Sequence, residues 1–157
     1  GELERARDLA GRILKLDPRT GDKRTICQLC APICQLSVGR DGEIILAATM
    51  DGVVERIGVQ NDQIDRTRIE QLDQEPNGLE LDGHCRWAAV IERSRTLRVL
   101  NLRRSSDSFS LSPAPNSLRS VAFSGDGRML GLSLSDGILR LWVFHQEAVA
   151  REAGLGT

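Results

Sequence analysis

Short apolar runs, each bounded by glycine or by polar turn-forming residues, recur along most of the chain. The runs over 44–48, 87–91 and 129–134 are nearly continuous, which is typical of strands covered on both faces. Asp-Gly pairs separate many of these runs, and Asp-Gly is a strong hairpin signal because Gly readily adopts the positive φ of a tight turn. The pattern predicts an all-β chain of short antiparallel strands.

The turns recur at a fixed spacing, the signature of a repeat architecture. Gly42 and Gly52 are ten residues apart, as are Gly127 and Gly137, and the two couples lie 85 residues apart. Gly83 lies between them, 41 residues after Gly42 and 44 before Gly127. These turn glycines therefore indicate three units with a period near 42 residues.

Each unit is predicted to contain four strands. The first three strands of the last unit are predicted over 118–124, 129–134 and 138–144. The fourth strands of the earlier units are predicted over 25–29, 64–72 and 108–111. Apolar spacing over 2–16 also fits a helix, but the register that extends back to Gly11 favours a strand from residue 12. Residues 146–153 are predicted to form a short helix, capped by Gly154, in place of a fourth strand.

The last unit resembles a WD-repeat blade. Ser120-Val-Ala-Phe-Ser-Gly-Asp-Gly127, followed by Leu132-Ser-Leu-Ser-Asp-Gly-Ile-Leu-Arg-Leu-Trp142, carries the resemblance. The match is close over 118–144 and looser elsewhere. The resemblance implies a partial β-propeller of about 3.5 four-stranded antiparallel blades, an incomplete ring. The expected segments are a partial blade over 1–29, blades over 30–73, 74–112 and 113–145, and a tail or short helix over 146–157.

The resemblance also implies a structural network within each blade. The family's blades carry a buried hydrogen-bond chain of His, Ser or Thr, Asp and Trp. Ser133, Asp136 and Trp142 match part of it, and Thr49 and Asp51 are candidate substitutes in an earlier unit. The family's Gly-His is missing, and a partly satisfied polar network gives little stability. Aliphatic packing is therefore expected to hold the blades together.

The number of predicted blades does not close a ring, since closed propellers usually have 4 to 8. Three explanations stay open. The chain belongs to a longer polypeptide with the remaining blades, which we favour, or it pairs with a copy of itself, or another protein supplies the missing blades. Each explanation predicts a protein surface as the partner.

A cysteine array is the strongest candidate for chemistry. Cys27, Cys30 and Cys34 have C-x2-C-x3-C spacing, which occurs in zinc and iron–sulfur sites. On a strand, however, Cys27 and Cys30 would point to opposite faces. We therefore interpret the thiols as small apolar side chains between blades, and expect no metal, cofactor or disulfide.

The sequence contains no clear set of catalytic residues. The only histidines are His84 and His145, and neither has a serine or cysteine at a spacing typical of a nucleophile and its base. We predict no enzyme activity. Arg93, Arg95 and Arg128 are candidates for a binding rim, with a solvated surface as the alternative.

Net charge and hydropathy limit the classes of partner that we expect for this chain. The net charge is −1, from 21 basic and 22 acidic residues, which argues against a nucleic-acid partner. No apolar stretch approaches the ~18 to 20 residues of a membrane span, and the first residues do not form a signal peptide. We expect a cytoplasmic, non-catalytic scaffold or sensor module for protein–protein interaction within a larger protein or a multiprotein complex. The alternatives are a self-closing oligomeric propeller with a small ligand, and a metal-bearing propeller around the cysteines.

Overall fold

Four separate antiparallel sheets make up the structure, a computed structural model that describes residues 11–93, 95–111, 118–145 and 149–153. One sheet has two strands and three have four, and no sheet closes on itself within these ranges. The helical content of the same ranges is one 3-10 turn, Ser105–Asp107. The chain is therefore all-β, as the apolar runs predict. None of these described residues belongs to a helix long and apolar enough to cross a membrane.

The strands of each sheet follow one another in chain order, each joined to the next as a hairpin. Sheet 1 contains β1 (Arg12–Leu16) and β2 (Lys23–Gln28). Sheet 2 contains β3 (Ile33–Val38), β4 (Ile44–Thr49), β5 (Val53–Gln60) and β6 (Gln63–Gln71). Sheet 3 contains β7 (Gly78–Leu81), β8 (Trp87–Ile91), β9 (Leu97–Asn101) and β10 (Phe109–Leu111). Sheet 4 contains β11 (Leu118–Phe123), β12 (Met129–Leu134), β13 (Leu139–His145) and β14 (Val149–Ala153).

The two terminal segments differ in how well the sequence predicts them. Arg12–Leu16 is a strand, in agreement with the register that extends from Gly11, and residues 1–10 lie outside the described ranges. The helix predicted over 146–153 is wrong where the structure describes that segment, because Val149–Ala153 is a strand antiparallel to β13. A strand here covers the edge of β13, whereas a helix this short is marginal by itself. Residues 146–148 lie outside the described ranges.

Apolar side chains between consecutive sheets form the core. The second strand of a sheet alternates its side chains between the two neighbouring sheets. Ile45 and Ala47 of β4 pack in the cluster between sheets 1 and 2, whereas Leu46 and Ala48 pack in the cluster between sheets 2 and 3. All four are at most 1% exposed. The sheets therefore stack face to face in chain order, and burial on both faces explains why the second strands are almost wholly apolar.

The first strands of consecutive sheets lie closest together. β3 contacts β7, and β7 contacts β11. The hydroxyl of Ser37 accepts a hydrogen bond of 3.0 Å from the backbone N–H of Leu81, and the amide of Gln35 donates one of 3.3 Å to the carbonyl of Asn77. The fourth strand of sheet 2 is mostly exposed by contrast. Consecutive sheets thus approach most closely along their first strands, and β6 is an outer strand of sheet 2.

The junction between sheets 3 and 4 contains every aromatic residue of the chain. Trp87 stacks on Phe144 with ring centroids 4.8 Å apart, and Phe109 meets Trp87 edge-on at 6.3 Å. Phe123 and Trp142 pack against the same cluster. Large rings fill this junction where the other two use smaller aliphatic side chains.

Candidate functional site

The turn between the first and second strands has the same geometry in all three four-stranded sheets. Its first residue is Gly39, Asp82 or Ser124, and the backbone N–H of each donates to the carbonyl five residues later at 2.8 to 2.9 Å. The fourth residue of the turn has a positive φ in each sheet. These fourth residues are Gly42 (φ 73), Cys85 (φ 55) and Gly127 (φ 71).

This geometry corrects the register of the middle unit. The sequence aligns Gly83 with Gly42 and Gly127, but Cys85 occupies that position, 43 residues after Gly42 and 42 before Gly127. Gly83 is not among the described residues with positive φ. A Cys tolerates this conformation here because the side chain of Asp82 holds the turn, so the glycine is dispensable.

Asp82 is the residue that sequence reasoning missed. It is fully buried, and its carboxylate accepts backbone hydrogen bonds from His84, Arg86 and Trp87 at 3.0, 2.9 and 3.3 Å. Ser124 holds the equivalent turn more simply, since its hydroxyl accepts one bond of 3.0 Å from the N–H of Met129. The signal in the sequence was the Asp of the Asp-Gly pair, because Asp side chains readily bond to backbone N–H groups a few residues later.

The three turns lie side by side at one end of the sheets, and we call residues 39–44, 82–87 and 124–129 the row of turns. A Cβ on Gly39 would lie 2.4 Å from the sulfur of Cys85, and one on Gly127 would lie 2.5 Å from a carboxylate oxygen of Asp82. The guanidinium of Arg86 donates to the carbonyl of Asp126 at 3.4 Å. Each turn thus packs directly on the next.

A cleft of about 400 Å³ is lined by residues of the first two turns of the row. Charged side chains of both signs surround it, together with a histidine and a half-buried thiol. Its lining residues are Arg40, Asp41, Glu43, Ile44, Gly83, His84 and Cys85. Arg128 and Asp126 continue the alternation of charge into the third turn. The row of turns therefore presents a polar surface with donors, acceptors and both charges.

The thiol in this cleft is poorly suited to nucleophilic chemistry. Burial raises the pKa of Cys85 above its ordinary value, and the neighbouring Asp82 carboxylate raises this pKa further. A thiol with a raised pKa is protonated at neutral pH, and the protonated form is the weaker nucleophile. Cys85 serves mainly to fill space against Gly39.

The cysteine array is divided between two sides of sheet 2. Cys27 packs against the cluster between sheets 1 and 2, whereas Cys34 packs against the cluster between sheets 2 and 3. Cys30 lies exposed in the connection between β2 and β3. Within the described ranges no three His, Cys, Asp or Glu side chains are grouped to hold a metal ion. The short spacing in sequence does not bring these three thiols together.

Thiol reactivity tests this arrangement. Cys30 is expected to react with N-ethylmaleimide about tenfold faster than Cys27, because Cys30 is exposed and burial raises the pKa of Cys27. A time course on the full chain, read by peptide mass spectrometry, measures both rates. Equal protection of Cys27 and Cys30, relieved by a chelator, would instead indicate a shared metal.

Part of the predicted blade network forms in the turn between β4 and β5. Thr49 donates its hydroxyl hydrogen to Asp51, and it also accepts a 3.2 Å bond from the N–H of Val53. The Ser133 hydroxyl bonds to that of Ser120 at 2.7 Å. Its expected partner Trp142 has a buried indole nitrogen with no hydrogen-bond partner in the described part of the chain.

The turn between the second and third strands also has an equivalent geometry in the three four-stranded sheets. Asp136 accepts a 3.0 Å bond from the N–H of Ile138 across Gly137. Gly52 and Gly137 have φ of 87 and 85, and Arg95, at the same place in sheet 3, has a φ of 69. In each sheet the N–H of this residue donates to the carbonyl three residues before it.

The predicted arginine rim is split between the two ends of the sheets. Arg128 belongs to the row of turns, before β12, whereas Arg93 and Arg95 follow β8 at its other end. Arg93 also forms an ion pair with Glu75. Because consecutive sheets stack with their second strands in the same direction, the three guanidinium groups cannot share one binding surface.

The sequence matches no protein-family model, and no curated protein matches it significantly.

Proposed function

We propose that the chain is a non-catalytic module for protein–protein interaction, built from WD-repeat-like propeller blades. The observation that carries the proposal is the row of turns, in which three equivalent turns pack side by side and present both charges around one cleft. Stacked repeats that offer their loops on a common face suit the recognition of a partner without chemistry. The close approach of β3, β7 and β11 supports the propeller interpretation, because first strands of blades line an axis.

The expected partner is another protein or further blades of a longer polypeptide, in a cytoplasmic complex. A protein segment that carries both charges complements the surroundings of the cleft, where Arg40 stands beside Asp41 and Glu43. Complementary charge at such a surface selects the partner and its orientation. The balanced composition of the whole chain, with net charge −1, favours a protein over a polyanion as that partner.

Charge reversal at the cleft tests the proposal. A photo-crosslinking amino acid at position 84 first captures the partner in the source cells, and affinity is then measured with the purified full chain. Arg40→Glu is expected to weaken binding about fivefold, roughly 1 kcal/mol. Arg68→Glu is the matched control, since Arg68 is also exposed but lies on the outer strand β6.

Two results would contradict the proposal. One is the absence of any crosslinked protein at position 84. The other is an equal loss of affinity in both variants, which would indicate a general effect of net charge. Circular dichroism of each variant confirms that the sheets are retained.

A further inference from the structure

The loop between β9 and β10, residues 102–108, presents serines directly after two adjacent arginines. Its sequence is Leu-Arg-Arg-Ser-Ser-Asp-Ser, and no other pair of adjacent arginines occurs in the chain. Arg103, Arg104, Ser105 and Ser106 are all exposed. Neither arginine side chain forms an ion pair with the residues that the structure describes. Ser106 therefore follows two guanidinium groups that are open to a partner.

The hydroxyl of Ser106 is not used by the fold. In the same loop, the hydroxyl of Ser108 accepts a 3.0 Å hydrogen bond from the backbone N–H of Asn101. The Ser106 side chain makes no hydrogen bond to the described part of the chain. No residue of its 3-10 turn, Ser105–Asp107, is buried. The Ser106 hydroxyl is therefore accessible from solvent.

Few contacts hold the 3-10 turn closed. The backbone N–H of Asp107 donates to the carbonyl of Arg104 at 2.9 Å, and that of Ser108 donates to the carbonyl of Ser105 at 3.1 Å. Water replaces both bonds readily, since the two acceptor residues are exposed. The pairing of β9 with β10 holds the two ends of the loop. The loop can therefore extend locally while sheet 3 stays folded.

An accessible serine after two unpaired arginines is a substrate pattern for a protein kinase. Kinases choose substrates in part by the pattern of charge around the acceptor. A carboxylate in the kinase groove binds a guanidinium group through two parallel hydrogen bonds. Phosphoryl transfer also needs the acceptor hydroxyl in line with the γ-phosphate, which requires an exposed segment that extends. The loop combines the charge, the exposure and the local freedom.

We propose that Ser106 is a phosphorylation site for a serine protein kinase that recognises arginine two and three residues before the acceptor. The Ser106 oxygen attacks the γ-phosphorus of Mg²⁺-bound ATP, and the bond from that phosphorus to the β–γ bridging oxygen breaks. ADP leaves, and the hydroxyl proton passes to the catalytic aspartate of the kinase. This modification goes beyond the proposed function and needs no partner at the row of turns, so either proposal can fail alone.

Thr96 is an internal comparison for this site. It is the only other serine or threonine of the chain with an arginine three residues before it, Arg93. Arg93 forms an ion pair with Glu75, and Thr96 is half-buried between β8 and β9. The kinase is therefore expected to modify Ser106 and to leave Thr96 unmodified in the folded chain.

Phosphate transfer to the purified full chain tests the site. The catalytic subunit of cyclic-AMP-dependent protein kinase, which prefers this arginine spacing, is supplied with Mg²⁺ and ATP, and peptide mass spectrometry locates the phosphate. Arg103→Ala is expected to slow the initial rate at Ser106 about tenfold, because it removes one charge-assisted contact with the kinase. Ser105→Ala is the matched control in the same turn, and its rate should equal that of the unaltered chain.

The phosphate is also expected at Ser106 in the chain recovered from source cells with phosphatase inhibitors. Its absence there would overturn the proposal. So would an unchanged rate in Arg103→Ala, or transfer to Ser105 or Thr96 in place of Ser106. Circular dichroism before the reaction confirms that each variant keeps its sheets, so that a changed rate reports on the loop.

Discussion

Replacing Gly52 with Ala is expected to lower the free energy of unfolding by about 3 kcal/mol, through backbone strain and a steric clash. Gly52 has a φ of 87, a conformation that side chains rarely adopt. A Cβ there would lie 2.3 Å from the carbonyl oxygen of Leu72. That segment cannot move away freely, because the N–H of Leu72 donates a 2.8 Å bond to the carbonyl of Gly52. Urea denaturation of the full chain measures the loss.

Gly137→Ala separates the two causes. Gly137 holds the same place in its turn with a φ of 85, but nothing lies within 4 Å of an added Cβ. Only the conformational strain applies, so a loss of about 1 kcal/mol is expected. Equal losses at the two glycines would show that the contact with Leu72 is unimportant.

Replacing Asp82 with Ala is expected to cost about 3 kcal/mol of stability, because buried donors without acceptors are expensive. The carboxylate accepts three backbone hydrogen bonds inside a fully buried site. Its removal also frees Cys85 from the turn that holds it at positive φ. Thermal unfolding followed by circular dichroism should show a correspondingly lower midpoint.

Two further variants control for the loss of charge and for the position in the turn. Asp82→Asn keeps the shape and one acceptor oxygen, so an intermediate midpoint is expected. Asp126→Ala removes an exposed carboxylate of the next turn, where water replaces the bond to the N–H of Arg128. An Asp126→Ala variant as unstable as Asp82→Ala would mean that burial of the carboxylate is not the cause.

Strand positions follow from the sequence because hydrophobic alternation and turn chemistry are both local. β12 has the predicted bounds, Met129–Leu134, and β10 differs by one residue from the predicted 108–111. The segment 149–153 was mispredicted because its pairing with β13 is tertiary, and tertiary context overrides weak local preference. Local patterns identify strands well when each strand is covered by neighbours of its own kind.

The candidate site was harder to predict from the sequence than the strands were. The turn glycines drew attention to Gly83, whereas a buried side chain, Asp82, holds that turn and places Cys85 at the fourth position. The Cys array looked coherent because its members are close in sequence, and the arginine rim because its members lie at predicted turns. Cys27 lies on sheet 1, whereas Cys34 packs on the face of sheet 2 that is turned away from sheet 1. Strand direction separates Arg93 from Arg128. Which residues lie close together in three dimensions depends on how the sheets stack, and spacing in the sequence alone does not reveal this.

Because each apolar cluster joins only two consecutive sheets, stability is close to a sum of nearest-neighbour terms. Within the described residues, sheets 2 and 3 have neighbours on both sides, whereas sheets 1 and 4 have one. Local opening then costs least at the two ends, and amide protons should exchange slowest in β4 and β8. The molecule is in this sense a one-dimensional array, whose cooperativity grows with every unit added to it.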